Sequence, residues 1–121
     1  MYIATVAAQH GDVVYIDTGG AFSAQRAKDY TKRTDPLGLK LRAITVHQVF
    51  EIKECLVLIE SLLCSQSDSH LRLLVLDSIG TLLSPILGPN QLLAYAQMGS
   101  LVAGLSKLAR QTGVPIVVGF Y

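Results

Sequence analysis

The chain has 121 residues, a formal net charge of +1 and a hydrophobic content of 50%. This length fits a single domain, and no apolar run approaches the length of a membrane helix, so the apolar excess favours a sheet covered by helices on both faces. The start has neither a basic leader nor a convincing cleavage site and does not predict a signal peptide. Cys55 and Cys64 lack CxxC spacing and predict two reduced, mostly buried thiols.

The first half of the chain alternates helical and extended patterns. The predicted elements are an alanine-rich helix over Met1–Gln9, a strand over Val13–Ile16 that ends at Asp17, a turn at Thr18–Gly20, a helix over Ala24–Lys32 capped by Ser23, and a strand over Ala43–Val46. Basic residues concentrate between Arg26 and Arg42, which indicates either a phosphate-binding strip or, as we favour, a solvated loop.

The second half repeats this alternation. Its predicted elements are a covering helix over Val49–Leu63 with Phe50 in its apolar stripe, a strand over Leu71–Leu76 that ends at Asp77, a short helical turn over Ile79–Leu83, a break at Pro85–Pro89, a long helix over Asn90–Gln111 with Leu93, Leu101, Leu105 and Leu108 on one stripe, and a strand over Val114–Val118 that follows Gly113.

Strands that alternate with helices predict a four-stranded parallel sheet joined by right-handed crossovers. The four apolar residues Leu73–Leu76 favour a strand buried on both faces, and the carboxylate of Asp77 then marks the point where this strand leaves the sheet. Asp17 follows the first strand in the same way. Since ligands bind beyond the carboxyl ends of parallel strands, Asp17 and Asp77 are the first candidates for a site.

Several segments together resemble the RecA-type recombinases. Val13–Thr18, followed by Ala21–Ser23 and Arg26, is similar to the second strand of that family, and Leu73–Ser78 is similar to its Walker B strand. Leu105–Val118 resembles the helix and strand that come next. Ser84–Gly88 is most similar to the D-type paralogue of the eukaryotic strand-exchange recombinase. The match covers most of the chain in order, so the ordered set carries the resemblance.

The family pattern is incomplete in these 121 residues. They contain no GxxxxGK[ST] loop, which cradles phosphates in the family, and Gly19 stands where catalytic members place a glutamate. We therefore expect residues 1–121 to form one partial RecA-like ATPase core, a fragment without the Walker A loop. The resemblance implies the sheet order Ala43 strand, Val13 strand, Leu73 strand, Ile116 strand, with Asp17 and Asp77 at one crevice.

The resemblance also implies a function and a set of site residues. Family members bind ATP, Mg²⁺ and DNA, and act with other recombinase paralogues in the nucleus, in DNA repair by homologous recombination. Asp77 would hold Mg²⁺ through water, with Ser78 and Asp17 beside the nucleotide, although ATP binding should be weak or absent here and hydrolysis absent. From the residues alone, Asp77 and Ser78 could instead cap the next helix, and Asp17 could cap a turn.

Two other functions remain open from the sequence. One is a non-enzymatic module that docks with other paralogues. The other is an unrelated doubly wound α/β domain. His10, His47 and His70 show no metal-ligand spacing and predict ordinary surface or loop histidines.

Overall fold

In the computed structural model, residues 2–8, 11–20, 22–30, 40–64, 71–87 and 91–119 are described. Five helices and four strands alternate along these residues: α1 (Tyr2–Ala8), β1 (Asp12–Asp17), α2 (Ala24–Tyr30), β2 (Ile44–Gln48), α3 (Ile52–Cys64), β3 (Leu71–Asp77), α4 (Ile79–Leu87), α5 (Gln91–Thr112) and β4 (Ile116–Val118), with a 3₁₀ turn at Lys40–Ala43 before β2. The alternation predicted from the sequence is confirmed.

The four strands form one parallel sheet in the order β2-β1-β3-β4. This is the order that the resemblance implied. β1 lies in the interior of the sheet, with β2 on one side and β3 on the other. Because both of its faces are covered, β1 is buried from Val13 to Asp17 with no alternation of apolar and polar residues.

Helices cover both faces of the sheet. Even-numbered residues of the two central strands, such as Ile16 and Leu76, pack with α3, α4 and α5 in the larger core. Odd-numbered residues, such as Val13 and Leu73, pack with Ala4 and Ala8 of α1 in a smaller core. The period of two therefore assigns the side chains of Val13–Ile16 and Leu73–Leu76 alternately to one helical layer and the other.

Several predicted boundaries and burials were wrong. The 3₁₀ turn includes Ala43, so β2 begins one residue later than predicted, and α3 begins at Ile52. Phe50 precedes that helix and is 60% exposed, so it does not belong to the apolar stripe. Leu93 is 44% exposed because the buried stripe of α5 runs through Ala94, one residue and about 100° further around the helix.

Helix α4 continues through the predicted break at Pro85 and ends at Leu87. Pro85 lies in the last turn, so its missing N–H removes one hydrogen bond near the end of the helix and does not divide it. Helix α5 ends as predicted. Gly113 follows it with a φ of 70°, and its amide donates to the carbonyl of Ala109, which is the geometry of a left-handed helix stop.

The two thiols differ in burial. Both cysteines are free, as predicted, but only Cys55 is buried, whereas Cys64 is exposed at the last residue of α3. The helical period explains the difference, because Cys55 and Ile59 share the face that packs on the larger core. Burial raises the pKa of the Cys55 thiol to about 11.

No helix in the described part of the chain combines the length and apolar character that a membrane crossing requires.

We expect Leu101→Ala to destabilise the chain by about 2–5 kcal/mol, because Leu101 is fully buried and the surrounding core relaxes only partly into the cavity. Leu92→Ala is the matched control on the same helix, since Leu92 is 82% exposed, and its effect should stay within about 0.5 kcal/mol. Urea unfolding followed by circular dichroism measures both. Equal effects of the two substitutions would contradict the packing described here.

We expect iodoacetamide at pH 8 to alkylate Cys64 and to spare Cys55 in the folded chain. A thiol with a pKa of about 11 is about one-thousandth thiolate at pH 8, and burial also blocks the reagent. Both cysteines lie in the tryptic peptide Glu54–Arg72, so fragmentation of that peptide by tandem mass spectrometry identifies the labelled residue. Labelling in urea, where both should react, is the control. Rapid alkylation of Cys55 in the native chain would show that α3 is not packed as described.

Candidate functional site

The two strand-end aspartates lie side by side. Asp17 and Asp77 are register partners on the adjacent parallel strands β1 and β3, at the carboxyl ends of both. The alternation of side chains places them on the same face of the sheet as Tyr15 and Val75, which is the face covered by α1. The predicted meeting of these two residues at one end of the sheet is confirmed.

Asp17 is used within the protein. Its Oδ1 accepts a hydrogen bond from the amide of Gly19 at 3.2 Å, and its Oδ2 accepts one from the amide of Phe22 at 3.2 Å. The residue is only 1% exposed. Both carboxylate oxygens therefore hold the loop that follows β1, so the geometry is that of the turn cap that the residue type had left open.

Asp77 is placed differently. Its Oδ2 accepts a hydrogen bond of 2.7 Å from the hydroxyl of Tyr15. Its Oδ1 faces Gly119, where a Cβ atom would lie 3.4 Å away. The first amide of α4, that of Ile79, donates to the carbonyl of Gly119 at 2.8 Å, so this helix start is satisfied by the backbone after β4 and not by Asp77. Asp77 is half-buried, and its Oδ1 lies beside Gly119.

Tyr15 is held as a neutral hydrogen-bond donor. Burial raises the pKa of its hydroxyl, and the hydrogen bond to Asp77 and the negative charges of Asp77 and Asp17 raise it further. Its ring lies against the ring of Phe22, with the centroids 4.9 Å apart and the planes tilted by 59°. The aromatic pair thus connects the loop held by Asp17 to the carboxylate of Asp77.

Thr18 and Ser78 join the two loops that leave the sheet. The hydroxyl of Thr18 accepts from the amide of Ser78 at 2.6 Å and donates to the carbonyl of Ser78 at 2.9 Å. The amide of Thr18 donates to the carbonyl of Asp77 at 2.9 Å. The Ser78 hydroxyl is hydrogen-bonded to that of Thr81 at 2.9 Å, and Ser78 is buried. This arrangement continues the pairing of β1 and β3 beyond the strands and fixes the position of Asp77.

The residues fit a magnesium–nucleotide complex only in part. Among the described residues, no group of three or more His, Cys, Asp or Glu side chains could hold a metal ion, and His47 stands alone in β2. Magnesium is commonly bound by one or two carboxylates together with waters and substrate phosphates. Asp77, with Oδ1 beside Gly119, fits that role, whereas the amide-bonded oxygens of Asp17 do not. His10 and His70 lie outside the described residues.

Gly19, at the position of the family glutamate, lies in the loop after Asp17. It is exposed, and a Cβ atom there would meet nothing within 4 Å. The loop therefore has room for a larger side chain at this position, and steric hindrance does not explain why the residue is a glycine rather than a glutamate.

Sequence reasoning missed Tyr15, Thr18 and Phe22. The sequence pattern predicts Tyr15 only as one apolar residue of the strand Val13–Ile16. Its hydroxyl could have been placed from the period of two, because residues two apart on a strand share a face and Tyr15 precedes Asp17 by two positions. Thr18 carried no signal beyond its place in a turn. The basic residues between Thr31 and Leu39 lie outside the described part of the chain.

Known proteins resemble this chain in sequence and in structure, although no family model matches it. The bovine protein "DNA repair protein RAD51 homolog 4" is 29% identical over 88% of this chain, and the match covers 36% of that protein. The crystal structure of the RadB recombinase superposes with a TM-score of 0.75 and 26% identity over 97% of this chain and 52% of that one. The chain thus spans about a third to a half of the length of these relatives.

We expect Thr18→Val to destabilise the chain by about 2–3 kcal/mol, since it leaves the amide and carbonyl of Ser78 without the Thr18 hydroxyl. Thr18→Ser, which retains the hydroxyl, is the matched control and should lose less than half as much. Chemical denaturation gives both values. A loss as large in the serine variant would mean that the methyl group, and not the pair of hydrogen bonds, stabilises this end of the sheet.

Proposed function

Because this chain is related in sequence and fold to the RecA-type recombinases, we propose that it acts in DNA repair by homologous recombination, as the RecA-like core of a recombinase paralogue in the nucleus. The observation that carries the proposal is the pairing of Asp17 with Asp77 at the carboxyl end of a parallel sheet in the order β2-β1-β3-β4. In open α/β sheets this is where nucleotides bind.

Asp77 is the residue that we assign to the magnesium–ATP complex. Its Oδ1 would accept a hydrogen bond from a magnesium-bound water, while Tyr15 occupies Oδ2. Ser78 would support Asp77 through its backbone hydrogen bonds to Thr18 and through its hydroxyl, which is hydrogen-bonded to that of Thr81. Asp17 would hold the loop after β1 in place through the amides of Gly19 and Phe22. When bound, magnesium–ATP supplies a phosphoryl group that can be transferred to water.

We do not expect these residues alone to hydrolyse ATP. The printed sequence contains no GxxxxGK[ST] loop to bind the phosphates and no glutamate at position 19 to orient water. One carboxylate cannot by itself neutralise the charge that develops on a transferred phosphoryl group, and a carboxylate without neighbouring cations repels it. Nucleotide binding by the chain should accordingly be weak.

We expect no ATP turnover by the chain above the level of an Asp77→Ala variant, measured as released phosphate with and without DNA. Asp12→Ala is the matched control, because Asp12 lies on the same sheet at the opposite end of β1 and is exposed. Turnover that is abolished by Asp77→Ala and retained by Asp12→Ala would show that the chain hydrolyses ATP and would overturn this part of the proposal.

A specific surface favours docking with other recombinase paralogues. A groove of about 280 Å³ runs between α5 and the carboxyl half of the sheet and is lined almost wholly by apolar side chains, including Met98, Val102, Leu105, Ile116 and Val118. Within the described residues, β4 pairs with β3 alone, so its other edge has backbone groups available. An apolar groove beside an open strand edge is typical of a protein interface.

We expect Val102→Lys to weaken capture of a sister recombinase paralogue by the tagged chain at least tenfold, because it places a charge on the exposed rim of the groove. Val57→Lys is the matched control, since Val57 is also exposed, at 66% against 48% for Val102, but lies on α3 and does not line this groove. Co-purification from cells that express both proteins measures the effect. Equal capture by both variants would assign the interface to another surface.

A further inference from the structure

We propose that Tyr15 is a positioning residue for Asp77, which it holds in the rotamer that presents Oδ1 to a magnesium-bound water. This inference rests on the function proposed above for Asp77 and adds a second residue to that site. It is carried by the hydrogen bond from the Tyr15 hydroxyl to Oδ2 of Asp77, which is 2.7 Å long and partly buried, on the face of the sheet that α1 covers.

The carboxylate of Asp77 has two oxygens that can accept a hydrogen bond. A carboxylate that is free to rotate offers either oxygen to a metal-bound water, and fixing it costs side-chain entropy at the moment of binding. Tyr15 removes that freedom in advance, because its hydroxyl binds one oxygen and leaves the other beside Gly119. Hydrogen bonds to charged acceptors are short and about twice as strong as neutral ones, so the constraint persists.

Tyr15 is itself held rigidly by its neighbours. The residue is 1% exposed, and its ring packs on Phe22, whose amide is bound by the carboxylate of Asp17. The backbone of Tyr15 is therefore fixed within β1, and its ring packs against α1 and against Phe22. The position of the Tyr15 hydroxyl, and with it the orientation of the Asp77 carboxylate, therefore depends on where Phe22 lies.

The arrangement also gives Asp17 a role that does not require it to touch the nucleotide. Asp17 binds the amides of Gly19 and Phe22, Phe22 supports the Tyr15 ring, and Tyr15 orients Asp77. The two strand-end aspartates are thus connected through an aromatic pair, in addition to their pairing through the backbone. Outer partners of this kind typically change metal affinity 10- to 100-fold when removed.

The test measures magnesium affinity and not turnover. A fluorescent ATP analogue is bound to the full chain in metal-free buffer, at chain concentrations high enough for weak binding, and magnesium chloride is then titrated into the mixture; a parallel sample in EDTA gives the affinity without metal. Tyr15→Phe keeps the ring and removes only the hydroxyl, so we expect magnesium affinity to fall about tenfold, while affinity for the analogue in EDTA is unchanged. In an Asp77→Asn background the same substitution should have no further effect. Tyr95→Phe, on the exposed face of α5, is the matched control.

Each other outcome overturns the inference, and the outcomes separate it from the proposed function. If Asp77→Asn weakens magnesium binding and Tyr15→Phe does not, Asp77 keeps its role and Tyr15 loses its own. If the parent chain shows no magnesium dependence, both roles fail. If Tyr15→Phe weakens the analogue equally with and without magnesium, the hydroxyl is merely structural. Should Tyr15→Phe not fold by circular dichroism, Phe22→Leu, which loosens the ring and keeps the hydroxyl, must show the same selective loss.

Discussion

The in-register pairing of β1 with β3 is the constraint on which the rest of this structure depends. It aligns Asp17 with Asp77 and thereby brings two carboxylates to adjacent positions on a mostly apolar face. Like charges at this separation are unfavourable unless each is compensated. The protein compensates them with different donors, two backbone amides for Asp17 and a tyrosine hydroxyl for Asp77. The hydroxyl of Thr18 then fixes the two strand ends to each other.

This difference in donors separates the roles of two chemically identical residues. Backbone amides in a loop are satisfied only if the carboxylate stays in place, so Asp17 is committed to the fold. A single hydroxyl leaves Asp77 with one oxygen unused by the described donors, and this oxygen lies beside Gly119. Since ligand binding requires a group that the fold does not already use, Asp77 is the carboxylate that we propose for the site. The sequence predicted that the two residues meet, and the hydrogen bonds distinguish them by showing which carboxylate the loop already uses.

The strands were predicted well because the signals were redundant, whereas their order came from the resemblance to the RecA-type recombinases. Apolar runs, strand-end aspartates and intervening helical periods all agree for β1 and β3. Predictions failed where a single signal was used. Phe50, Leu93 and Cys64 are apolar residues at the margins of helical stripes, and whether a marginal residue is buried depends on which neighbours meet the helix, information that one helix does not contain. The period of two places Tyr15 on the face of Asp17, but its hydrogen bond to Asp77 also depends on which strand lies beside β1, and no pattern within β1 contains that information.

Topology alone does not decide the family, because flavodoxin-like domains also arrange their first four strands in the order 2-1-3-4. What separates the alternatives is the similarity in sequence carried on that topology, 26% with the RadB recombinase over 97% of this chain. The geometry of the site is consistent with the function proposed above. The strand ends bring Asp17 and Asp77 together, but the loop amides use both oxygens of Asp17, whereas Tyr15 uses only one oxygen of Asp77. One oriented oxygen is suited to a metal-bound water, and the magnesium–nucleotide site that we propose at Asp77 depends on that oxygen rather than on the order of the strands.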